Sequence, residues 1–105
     1  MAIPDYQSCM LPLLEFASDS IEHSVTEAVE TLSKRFKLTE AEREELLPSG
    51  TQFVIANRVR WARTYLKKAG LLADPRRSHF QITERGREVL DSKPDRFDVA
   101  FLTGC

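Results

Sequence analysis

Between Gln52 and Ala69 the apolar side chains Ile55, Val59, Ala62, Leu66 and Ala69 recur every three to four residues, and at Gly70 that rhythm stops. At 100° per residue those five fall within about 80° of one another, which predicts one long helix with a single buried stripe. Gly70 suits the left-handed position that ends a helix. Beyond it, "LLADPRRSHFQIT" predicts two short strands, around Leu71–Ala73 and His79–Ile82, joined by a polar turn over Asp74–Ser78. With 105 residues in all, a helix feeding a hairpin leaves room for one domain with one core.

Upstream, local signals mark three more helices. In "PDYQSCMLPLLEFAS", Tyr6, Met10, Leu13, Leu14 and Ala17 keep helical spacing, with Pro4 at a suitable start. Pro12 removes a backbone donor, so a kink near Ser8–Leu11 is expected. "SDSIEHS" breaks the pattern and has room for a short extended stretch at Ile21–His23. Ser24 with Glu27 and Thr39 with Glu42 both form the capping-box pattern. They open a helix over about Val25–Lys37 and a short acidic one ending near Leu47. Pro48 and Gly50 then break the chain before the long helix. Thr83 caps a last helix carrying Val89 and Leu90. The expected architecture is α+β and mostly helical. It is a winged helix-turn-helix with an extra N-terminal helix, a short acidic helix and a wing sheet of two to three strands. Residues 1–93 form the domain, and 94–105, with the apolar cluster Phe97, Val99, Phe101 and Leu102, form a tail or the start of a linker.

Charge is distributed unevenly along this layout. The chain carries a formal net charge of −1, yet residues 1–52 hold 4 basic and 10 acidic side chains, whereas residues 53–105 hold 11 and 6. No Asp or Glu lies between Leu46 and Ala73. On the long helix, Asn57, Arg60, Thr64, Lys67 and Lys68 occupy the arc opposite the apolar stripe. Arg63 lies at its edge, Arg58 and Tyr65 on one flank, and Trp61 between that flank and the outward arc. A solvated helix surface usually mixes its signs in i,i+4 pairs; this one shows cations without acids. Arg and Asn are the side chains that read guanine and adenine in a major groove. The turn adds Arg76 and Arg77, with His79 alongside, as phosphate contacts. The pattern points to an anionic partner, double-stranded DNA first. A protein-interaction or dimerisation winged helix, using the acids Glu40, Glu42, Glu44 and Glu45, is the alternative.

"PDYQSCMLPLLEF", "LTEAEREELLPSG" and "NRVRWARTYLKKAGLL" followed by "FQITERG" together resemble the N-terminal domain of Mrr-type restriction proteins, over Ile3 to about Leu102. The resemblance implies a winged-helix DNA-binding module within a restriction system. It also implies a covalently linked nuclease domain of the PD-(D/E)xK type outside this chain, for which the module would sense modified bases. By position, Asn57, Arg60, Arg63, Thr64 and Lys67 would fall on the recognition helix and Arg76 and Arg77 on the wing. Trp61, Tyr65, Leu66 and Gly70 would belong to the scaffold.

Catalytic constellations are not legible. "Asp91-Ser92-Lys93" and "Pro94-Asp95" mimic pieces of a metal-dependent nuclease motif, but in the wrong order and at a helix end. His23 and His79 are isolated, Cys9 reads as a small core residue, and no glycine-rich phosphate loop occurs. We therefore expect no catalytic residue, metal or other cofactor. No apolar run reaches the ~18 residues of a membrane span and no leader pattern is visible, so a cytoplasmic location is expected, and a homodimer stays open.

Overall fold

The computed structural model describes residues 3–92. Helix α1 (Tyr6–Phe16) is followed by a 3-10 turn (Ala17–Asp19), strand β1 (His23–Ser24), helices α2 (Val25–Arg35), α3 (Glu40–Arg43) and α4 (Val54–Lys68), strands β2 (Leu72–Ala73) and β3 (His79–Ile82), and helix α5 (Glu84–Asp91). The three strands form one antiparallel sheet in the order β1-β3-β2. A mostly helical chain with such a sheet is compatible with an α+β, winged-helix-like fold. The tail 94–105 and its apolar cluster lie outside the described residues.

Each helix begins where a side chain satisfies its first free amides. Asp5 accepts from the Ser8 N–H, Thr83 accepts from the Gly86 N–H, and both capping boxes close reciprocally, Ser24 with Glu27 and Thr39 with Glu42. The exception is α4, whose N-cap Phe53 makes no side-chain cap. Pro12 does not end α1, which runs through it to Phe16.

Several boundaries differ from expectation. Ser20 turns the chain through a left-handed conformation at φ 65°, so pairing begins at His23 and Ile21 is left exposed, not paired as expected. Lys37, at φ 55°, stops α2 at Arg35, two residues early. The acidic helix closes at Arg43 instead of near Leu47, because Leu46 bridges to Phe53 and the Leu47 N–H donates to the Gln52 carbonyl. The same bridge delays α4 to Val54.

One core joins every layer. Cys9, Met10, Leu13 and Leu14 of α1, Ala28 and Leu32 of α2, and Val59, Ala62 and Leu66 of α4 are fully buried, with Ile55 nearly so; Phe80 seals the cluster from the sheet. Each large aliphatic side chain so placed contributes about 1.5–3 kcal/mol of transfer free energy. Cys9 is the small core residue anticipated, and burial pushes its thiol up to about 12, so it is inert. The Gly70 turn, at φ 81°, lets the chain leave α4 and enter β2.

At the start of α5, Gly86 approaches the two ends of the hairpin so closely that a Cβ would collide with the Leu71 carbonyl oxygen, just before β2, and lie 2.7 Å from Ile82 Cγ1, at the end of β3. Gly86→Ala is therefore expected to lower stability by about 1–3 kcal/mol through overpacking, although alanine is the better helix former. Urea unfolding would show it; an unchanged or raised midpoint would remove the close approach as a constraint.

His23 joins three elements. Its Nε2 lies 2.8 Å from Asp19 and its Nδ1 3.2 Å from Glu27, while its ring packs 4.4 Å from that of Phe16. Burial alone would lower its pKa, but Glu27 and Asp19 outweigh it and hold the imidazole above its ordinary value. The Ile21 N–H and then His23 lower Asp19, and His23 and the Ser24 N–H lower Glu27. The carboxylate contribution is present above the ordinary carboxylate range and is lost on acidification. The imidazolium contribution is complete below about pH 6.5 and is lost as pH rises through the elevated folded value. Thermal unfolding midpoints should fall on the alkaline side of about pH 6.5, and His23→Gln should flatten that limb. A limb of the same slope in both proteins would refute this assignment.

Candidate nucleic-acid interface

Burial of Ile55, Val59, Ala62 and Leu66 against α1 and α2 fixes the rotation of α4, and so decides what the helix shows to solvent. The outward stripe runs Phe53, Asn57, Arg60, Thr64 and Lys68, at steps of three or four residues. The helix is 15 residues long, a rod of about 22 Å. Asn57 and Thr64 are partly buried, whereas Arg60, Lys67 and Lys68 are exposed. The Asn57 Nδ2 donates to Gln52 Oε1 at 3.1 Å, and the Thr64 hydroxyl donates back to the Arg60 carbonyl at 3.0 Å.

The charge on this rod is not free of acids, as the sequence led us to expect. Asp74, the first residue after β2, turns back onto α4: its Oδ2 lies 2.9 Å from Lys67 Nζ and 3.7 Å from an Arg63 guanidinium nitrogen. Asp74 and Arg63 are mostly covered, their side chains only 22% and 23% exposed, so the contact has weight. Arg63, Asp74 and Lys67 tie the hairpin's first strand to the helix. The hairpin turn is held as well. Arg76 Nε donates to Glu22 at 2.6 Å, the Val25 N–H donates to the Ser78 carbonyl at 2.9 Å, and Ser78 sits at φ 60°. The turn is thus clamped at both ends, with Arg77 its one cation outside an ion pair among the described residues. His79 Nδ1 lies 2.8 Å from the Arg77 carbonyl oxygen.

Of the nine side chains expected at a binding surface, Asn57, Arg60, Thr64 and Lys68 share the outward stripe. Arg63 and Lys67 are drawn toward Asp74, and Arg76, Arg77 and His79 lie on or beside the turn. Among the described residues no ion pair reaches Arg60, Lys68 or Arg77. Sequence reasoning missed Asp74, Glu22 and Phe53. Both acids act across the fold, and only the run's abrupt end at Asp74 hinted at a counter-charge. Phe53 is 46% exposed; with Val25, Thr26, Val29 and Ala56 it lines a largely apolar groove of about 520 Å³ between α2 and α4, bordered by Glu27, Glu30 and Arg60. Of the positions assigned to the scaffold, Leu66 is fully buried and Tyr65 stacks on Tyr6 at 5.0 Å between ring centroids, while Trp61 stays 49% exposed. Burial first, and then Tyr65, raise the pKa of the Tyr6 phenol.

Among the described residues no group of three or more His, Cys, Asp or Glu could hold a metal ion, and no helix is long and apolar enough to cross a membrane. Asp91 and Ser92 close α5, and Lys93 and Asp95 lie outside the described residues. The family model described as the Mrr N-terminal domain matches residues 6–92. No curated protein and no solved structure matches the chain.

Asp74 holds down two cations, which makes its removal informative. Asp74→Asn should release Lys67 and move elution from a heparin column to higher salt. It should also cost about 1–3 kcal/mol of stability, since Arg63 is only 23% exposed and would lose its counter-charge. Unchanged elution would mean that the pair does not limit the available positive charge.

Proposed function

The chain belongs to the Mrr N-terminal domain family, and on that premise we propose that it is a double-stranded DNA-binding module of a restriction system. The family suggests the restriction association. An N-terminal domain is distinct from a catalytic one, and in this reading the module reads DNA, sensing modified bases, for a linked nuclease domain outside these 105 residues. The outward stripe of α4 enters the major groove, which at about 12 Å admits a helix. Arg60 and Asn57 meet base edges; Thr64, Lys67, Lys68 and Arg63 meet phosphates or their surroundings. Arg76, Arg77 and His79 approach an adjacent backbone.

The observation that carries this reading is the segregation of α4. Its apolar stripe is wholly spent on the core, and its opposite face offers Arg60 and Lys68 without an ion pair among the described residues. The three pairs involving Arg63, Lys67 and Arg76 reduce the number of phosphates the surface can neutralise. A second reading, a protein-interaction or dimerisation module, is favoured by the apolar groove beside the exposed Phe53. Its association would depend far less on salt than DNA binding.

Fluorescence anisotropy with a labelled duplex tests the choice. With about four to six phosphates neutralised, log affinity should fall against log salt with a slope of roughly −3.5 to −5.5. Arg60→Ala should cost about 1–3 kcal/mol and relax sequence preference, whereas Arg77→Ala should weaken all sequences evenly. Equal losses across sequences for both variants would refute that division of labour, and salt-insensitive binding would refute the electrostatic reading.

A further inference from the structure

One flank of α4 is aromatic rather than cationic. Asn57, Arg58, Trp61 and Tyr65, with Tyr6 of α1, line an open cleft of about 350 Å³. Tyr6 and Tyr65 stack with 18° between their planes, and the indole of Trp61 lies 6.2 Å from the Tyr65 ring. Lys68 Nζ stands 5.9 Å from the same ring. An exposed aromatic alone says little. Three rings around one concavity, with an amide and a guanidinium in its lining, are more specific. Asn57 is oriented through its Nδ2 by Gln52, which leaves its Oδ1 for an incoming donor. Arg58 has no ion pair among the described residues, and its Nε is buried without a hydrogen-bond partner.

A flat heteroaromatic ring attached to an anionic strand suits this lining: π-faces to stack on, an amide for its edge, and cations for the phosphate beside it. The geometry points to the cleft as a binding site for an unstacked nucleobase, beside the outward stripe and sharing Asn57 and Lys68 with it. A base stacked within an intact duplex can offer its edge to Asn57 but not its face to the Tyr65 and Trp61 rings. An unpaired or mismatched one can offer both, because its extraction from the stack costs least. A proline-rich peptide, which aromatic grooves also accept, has no anion to offer Arg58 and Lys68. The inference rests on the DNA-binding reading only for the supply of the base.

Trp61 is the only tryptophan in the chain, so its emission reports the cleft directly. The full chain is titrated with a matched duplex, the same duplex with one unpaired adenine, single-stranded oligodeoxyadenylate and a polyproline peptide; labelled DNA reports affinity for the variants. The duplex with the unpaired adenine should bind about 5- to 100-fold more tightly than the matched one and quench Trp61, the scale of one base–aromatic contact. Trp61→Ala should abolish that preference and Trp61→Phe retain most of it, whereas Arg60→Glu should weaken both duplexes and leave their ratio. Equal affinities with unquenched Trp61 would overturn the cleft and leave duplex binding standing. Quenching by the single strand without binding of any duplex would support the cleft and sink the duplex reading. No binding of any DNA, or quenching by polyproline alone, would overturn the site.

Discussion

The outward face of α4 takes its direction from one packing event, the burial of the Ile55–Val59–Ala62–Leu66 stripe of α4 against α1 and α2. A helix has one rotational degree of freedom about its axis, and four well-buried side chains remove it. Rotating the rod enough to redirect Arg60 would bring apolar groups into water at a cost of several kcal/mol. The direction of the basic stripe is therefore a by-product of core formation. That explains how α4 can dispense with a side-chain cap: tertiary packing holds what local chemistry leaves loose.

A second layer of constraint is electrostatic. Asp74 and Glu22 come from opposite sides of the hairpin, one following β2 and pairing with Lys67 and Arg63, the other preceding β1 and pairing with Arg76. The Arg76–Glu22 pair, with its cation largely exposed, adds little stability, whereas Asp74 and Arg63 are mostly covered. The effect the pairs share is geometric, because they join turn, sheet and helix into one body. The surface keeps fewer unpaired cations as a result.

How much of this was legible in the sequence depends on the range of each interaction. Both capping boxes, the Thr83 cap, the Gly70 stop and the apolar stripe of α4 depend on residues within a few positions of each other, and all are present. The family was legible too, since the matched residues 6–92 cover all of the quoted motifs except Pro4 and Asp5. Strand β1 slipped by about two residues because a serine, not a glycine, took the left-handed turn. The ion pairs of Asp74 and Glu22 stayed hidden, because their partners are set by how the hairpin folds back. The aromatic cleft was hidden for the same reason: Tyr6 and Tyr65 are far apart in sequence and meet only when α1 lies along α4.

The clamped turn has a mechanical consequence. A hairpin on a loose loop can slide to accommodate whatever lies under it; this one is paired to the helix through Asp74 and to the residue before the first strand, Glu22. These pairs hold helix and hairpin at one spacing in the structure. On the proposed reading, a duplex taking α4 into its groove and the turn on its backbone would have to match that spacing by its own bending and groove compression. Sequences that deform cheaply would be favoured even at steps no side chain touches.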